Sequence, residues 1–159
     1  MIRANEVTAP LHEGIIRVKD FMTKKPITVK ATDKLLEAVD KMEKGDFRHI
    51  LVVDNQGHLI GMLTDRDVRL LFTSPAFVHP EYLARQALYL QVRDAAVFSP
   101  ISAGADDSVR QCAEIMLKFG IGGLPVLDKA GKPVGIITHT DVLRAFVGKA
   151  KEKQGDRAK

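Results

Sequence analysis

The feature that most constrains this chain is an internal repeat. Residues 18–73 align on residues 92–147 at a fixed offset of 74, without a gap. Identical pairs include Asp20/Asp94, Pro26/Pro100, Ile27/Ile101, Asp33/Asp107, Met42/Met116, Val52/Val126, Gly61/Gly135, Thr64/Thr138, Asp67/Asp141 and Phe72/Phe146. A repeat of fixed period is one folding unit copied, and it decides the fold before weaker signals are consulted. Each copy is about 56 residues, a size that buries only about 60% of its chain surface and is marginal alone. The two copies are therefore expected to pack together and share a core.

The most informative stretch inside the repeat is Gly61-Met62-Leu63-Thr64-Asp65-Arg66-Asp67, which returns as Gly135-Ile136-Ile137-Thr138-His139-Thr140-Asp141. Each copy reads as a buried strand ending in a Thr that opens a helix. Thr-x-x-Asp at that point is a capping box, in which side chains satisfy orphan amides of the first turn. The same residues admit a second reading. A carboxylate in a first helical turn can accept hydrogen bonds from the two hydroxyls of a ribose, and the turn's amides and dipole attract phosphate.

The pattern predicts an α/β (α+β) fold of two tandem strand-helix-strand-strand-helix units. The boundaries are an arm over 1–14, a first unit over 15–73, a linker with a short helix over 74–90, a second unit over 91–148 and a basic tail over 149–159. In the first unit a short strand spans Ile27 to Val29, and Thr32 or Asp33 caps a helix with Leu35, Leu36, Val39 and Met42 on one face. Gly45 closes that helix, His49 to Val53 is an apolar strand, Asp54 to Gly57 turns the chain, and Leu59 to Leu63 returns antiparallel. Asp65 to Phe72 is the closing helix. The second unit repeats the plan, with Asp106-Asp107 at the helix start and Val109, Cys112, Met116 and Phe119 inward. Gly122-Gly123 stands where the first copy has Arg48-His49, so one strand mouth offers two basic groups and the other bare backbone. In the linker, Glu81 to Leu90 shows Leu83, Ala87 and Leu90 on one side. It is expected to be a packing spacer, with a lid carrying Tyr82 and Tyr89 as the alternative.

Composition narrows the function. No apolar run approaches the roughly 18 residues of a membrane span, and the start of the chain lacks the apolar region of a signal peptide. A single Cys112 fits a cytoplasmic location and, at helical spacing with Val109 and Met116, a small core residue. The net charge is +4, of which Lys149, Lys151, Lys153, Arg157 and Lys159 against Glu152 and Asp156 supply +3. Such a short basic end without aromatics is expected to be solvated, not an organised nucleic-acid surface. There is no nucleophile elbow, Walker loop or His-x-x-x-His pair, and His12, His49, His58, His79 and His139 are dispersed. Neither catalytic residues nor a metal site is expected, so the chain reads as no enzyme.

Pro-Ile-(Thr/Ser), an amphipathic helix, a strand ending in Asp, a Gly-closed turn and Gly-hydrophobic-hydrophobic-Thr-x-x-Asp together resemble the cystathionine beta-synthase (CBS) motif. Two in tandem resemble a Bateman module, over Val18 to about Val147. The resemblance implies pseudo-twofold packing and two clefts that take adenosine-containing ligands (AMP, ADP, ATP, S-adenosylmethionine or NAD). It also implies a homodimer that regulates an enzyme or transporter, with the adenine nucleotide as regulatory ligand and no required cofactor. By the same resemblance, Asp67 and Asp141, with Thr64 and Thr138, hold ribose. Ile27, Thr28, Val29, Ile101, Ser102 and Ala103 line adenine pockets, while Arg48, His49 and Arg66 meet phosphate. Gly122 and Gly123 allow close backbone approach. His139 and Thr140 replace Asp65 and Arg66, so the clefts are expected to differ, one taking a phosphorylated nucleotide and the other weaker or empty. The alternatives are a structural dimerisation module with vacant clefts and a weak nucleic-acid binder acting through the basic tail.

Overall fold

The computed structural model describes residues 16–73 and 87–148. The arm over 1–14, most of the linker including Tyr82 and Leu83, and the basic tail over 149–159 lie outside them.

The first half contains α1 (Val18–Phe21), β1 (Thr23–Lys24), β2 (Thr28–Lys30), α2 (Leu35–Gly45), β3 (His49–Val53), β4 (Leu59–Thr64) and α3 (Asp65–Phe72). After a 3-10 turn over Val92–Asp94 come β5 (Val97–Phe98), β6 (Ala103–Gly104), α4 (Val109–Phe119), β7 (Gly123–Leu127), β8 (Pro133–Thr138) and α5 (His139–Phe146). The result is a mixed α/β fold with two four-stranded sheets, ordered β2-β3-β4-β5 and β1-β8-β7-β6.

The sheets are built by exchange. β1 pairs antiparallel with β8, and β5 pairs antiparallel with β4, so each repeat donates its first strand to the other repeat's sheet. Val18 lies fully buried in the core under α4 and α5, and Val92 is fully buried in the core under α2 and α3. The run Val18 to Met22, which opens the first unit in the sequence, thus packs into the second half's core, and β1 directly after it joins the second sheet. Gly135 permits this close pairing: a Cβ there would lie 2.5 Å from Met22 Sδ and 2.9 Å from the Thr23 carbonyl.

The apolar runs of β3 and β7 are explained by burial on both faces. Ile50 and Val52 face α2 and α3, whereas Leu51 joins Met62 and Ile136 in a small cluster spanning both sheets. That cluster is the seam between the halves. Two capping expectations need correction. Lys34 opens α2 without a side-chain bond, because the Asp33 carboxylate turns back to accept from the Lys30 amide at 2.9 Å. Asp46, at φ 49°, and not Gly45, forms the left-handed end of that helix. Val109, Cys112 and Met116 are buried as the spacing predicts, but Phe119 is 54% exposed because α4 ends there at Gly120.

Candidate functional site

The two Thr-x-x-Asp boxes form, and on one side of the carboxylate they match. Asp67 Oδ2 accepts from the Thr64 amide at 2.9 Å and from its hydroxyl at 2.6 Å. Asp141 Oδ2 accepts from the Thr138 amide at 3.0 Å and from its hydroxyl at 2.9 Å. The capping function of these residues is therefore real in both halves.

On the other side they differ. Asp67 is half-buried, and its Oδ1 accepts no hydrogen bond from any described residue. Asp141 is 3% exposed, and its Oδ1 lies 3.3 Å from Arg144 Nη1. The residue at the matching place on α3 is Leu70, 58% exposed. Arg144 was not singled out in the sequence, although comparing positions 70 and 144 across the repeat carries the signal.

His49 of the first strand mouth meets the glycines of the second. A Cβ on Gly123 would lie 3.1 Å from His49 Nε2, and one on Gly122 would lie 3.3 Å from His139 Nδ1 and 3.8 Å from His49 Nε2. The bare backbone at Gly122 and Gly123 thus makes room for two imidazoles, one from each half. His139 Nδ1 stands 3.0 Å from the Gly122 carbonyl and donates to it when that nitrogen carries the proton. Burial pushes the His49 pKa down, Asp65 opposes this, and His139 and Arg48 reinforce it. Arg48 and Arg66 are exposed, and neither side chain bonds to a described residue.

The adenine candidates divide by face. Ile27 and Ile101 are 45% and 39% exposed, an unusual place for a large aliphatic residue repeated in both halves, and Thr28 and Ser102 are exposed beside them. Val29 and Ala103 pack into the two helix-side cores, so their side chains serve the fold. Lys25 and Ser99, directly before Pro26 and Pro100, hold φ of 54° and 52°, a conformation costly for non-glycine residues and doubly so before proline. An open groove of about 520 Å³ runs along α4 past Ser102, Asp107, Gln111 and Ile115. Of the candidate site residues it contains only Ser102 and Ala103, with none of Arg48, His49, Arg66, Asp67 and Asp141, and it is not the seam.

Among the described residues no group of three or more His, Cys, Asp or Glu could hold a metal, and no helix is long and apolar enough to cross a membrane. Cys112 is buried, and burial followed by the Asp107 charge pushes its thiol up to about 11. It is not a poised nucleophile.

A model of the CBS domain matches residues 18–74 and again residues 92–148. The chain belongs to the CBS domain family. The CBS domain pair of protein MJ0100, solved in complex with 5′-methylthioadenosine and S-adenosyl-L-methionine, superposes with a TM-score of 0.70 at 30% identity. That match covers 85% of this chain and 98% of that one. CBSX2 of Arabidopsis thaliana, solved in complex with AMP, gives 0.68 at 26% identity over 81% and 94% of the two chains. L-aspartate semialdehyde sulfurtransferase of Methanocaldococcus jannaschii is 31% identical over 140 residues, which span 88% of this CBS pair but only 25% of that enzyme. The CBS pair is thus similar to one quarter of a longer enzyme and to nearly the whole of two ligand-binding CBS structures.

Proposed function

We propose that this CBS pair is a regulatory module that binds an adenosyl nucleotide at the seam, gripping the ribose through Asp67. The observation that carries the reading is the Asp67 carboxylate, whose Oδ2 is fixed by Thr64 while Oδ1 keeps its acceptor capacity. A ribose diol supplies the donors that such an oxygen lacks. Exposed Ile27 and Ile101 offer apolar surface for a base, and Arg48, Arg66 and His49 offer donors to phosphate. The complexes of MJ0100 and CBSX2 with adenosyl ligands support that ligand class.

Binding becomes a signal only if the ligand prefers one arrangement of the two halves, and a tenfold preference corresponds to about 1.4 kcal/mol. The recipient is a partner enzyme or transporter. A second copy of the chain is expected on the helical layer, where Leu117 and Leu143 are 84% and 62% exposed. The deciding experiment is titration calorimetry with AMP, ADP, ATP, S-adenosylmethionine and NAD on wild type and Asp67→Ala. A charge-assisted hydrogen bond contributes about 1.5–3 kcal/mol, so at least a tenfold loss is expected in the variant. Equal affinity in the two proteins would remove the ribose role.

A further inference from the structure

The two capping boxes are an internal control. Sequence spacing, helix length and the Oδ2 bonds agree between them, so within the carboxylate itself the halves differ at Oδ1. There the second half places a guanidinium, and the first half an aliphatic side chain at the same helical step.

We propose that Arg144 masks the second half's carboxylate against ligand, so that the chain binds one adenosyl nucleotide, at Asp67, and keeps a latent second site at Asp141. This rests on the ribose-binding reading given above. A ribose hydroxyl needs an accessible carboxylate oxygen as acceptor; Arg144 Nη1, at 3.3 Å, takes one acceptor position of Asp141 Oδ1, and the 3% exposure of Asp141 leaves the other without an approach. The guanidinium is donor-only and cannot itself take the hydroxyl proton. Arg144 is also three residues along the same helix, so the contact is intrinsic to α5 and persists however the halves move. Asp141 is left 3% exposed, whereas half-buried Asp67 has only Leu70 at that step. The masking is a single-residue difference, and Arg144→Leu simply writes the first half's residue into the second.

The test is calorimetric titration of the full chain with AMP, repeated with S-adenosylmethionine and 5′-methylthioadenosine. Wild type is expected to bind one equivalent, and Arg144→Leu two, the second within about tenfold of the first. Adding Asp141→Asn to Arg144→Leu is expected to return the count to one. The reciprocal Leu70→Arg is expected to weaken the wild-type site about tenfold or more by giving Asp67 the same partner. Arg144→Met serves as a second unmasked variant, and melting curves establish that each variant is folded. Two equal sites in wild type, or one site in both unmasked variants, would overturn the masking while leaving the ribose reading intact. No binding of any of the three ligands by wild type, Arg144→Leu or Arg144→Met would instead remove the adenosyl reading, and the masking with it.

Discussion

Met22 Sδ occupies the place where a side chain on Gly135 would begin, 2.5 Å from the ideal Cβ position. The exchanged strand β1 pairs antiparallel with β8 there, with the Thr23 carbonyl only 2.9 Å from the same point. Gly135→Ala must therefore displace backbone as well as a flexible thioether. Overpacking of this kind costs about 1–3 kcal/mol. The melting temperature is expected to fall by several degrees, and urea unfolding should shift to lower midpoint at unchanged slope.

The capping boxes give a graded series. Thr64→Ala and Thr138→Ala each remove one cap hydroxyl and are expected to cost about 1 kcal/mol. Asp141→Ala should cost more than Asp67→Ala, because it also leaves the half-exposed Arg144 without its carboxylate. Chemical denaturation of the four variants measures the order. Asp67→Ala as the most damaging change would contradict the burial difference.

His49 predicts a pH response. Burial holds its pKa below the ordinary 6.5, so the folded chain binds fewer protons than the unfolded one near that value. The stability tied to neutral His49 is present above about pH 6.5 and is lost as pH falls through and below it. His49→Gln removes the titration while keeping a polar group opposite Gly123. Melting curves between pH 8 and pH 5 should therefore fall more steeply for wild type than for the variant.

Cys112 should resist thiol reagents. With its thiol pushed up to about 11 and its side chain buried, almost no accessible thiolate exists at pH 8. Modification by a disulfide reagent is expected to be slow in buffer and rapid in denaturant.

Much of this molecule could be read from the residues. The repeat, most of the helix faces through Met42 and Met116, the apolar strands His49 to Val53 and Gly123 to Leu127, and both capping boxes follow local patterns that the packed structure respects, although Leu36, expected on the inner face of α2, is 39% exposed. The exchange of β1 and β5 could not be read. Two-residue strands have no period, and nothing local in Thr23-Lys24 says which sheet they join. Gly45 and Asp33 misled for a related reason: either of two adjacent residues could supply the left-handed end or the cap. The site split along similar lines. Residue types placed Asp67, Arg48 and His49 near one seam, but whether a carboxylate oxygen is free or held depends on a neighbour three residues on, and only coordinates show that Arg144 reaches it.

The lending of outer strands between repeats makes neither repeat a free-standing fragment. A chain severed within the linker would yield one piece whose β8 edge lies bare and another lacking the Val92 plug, each with an unpaired ladder inviting aggregation. The two repeats are thereby obliged to melt as one cooperative unit, and a tug on the margin of either sheet is transmitted through the donated strand to its twin.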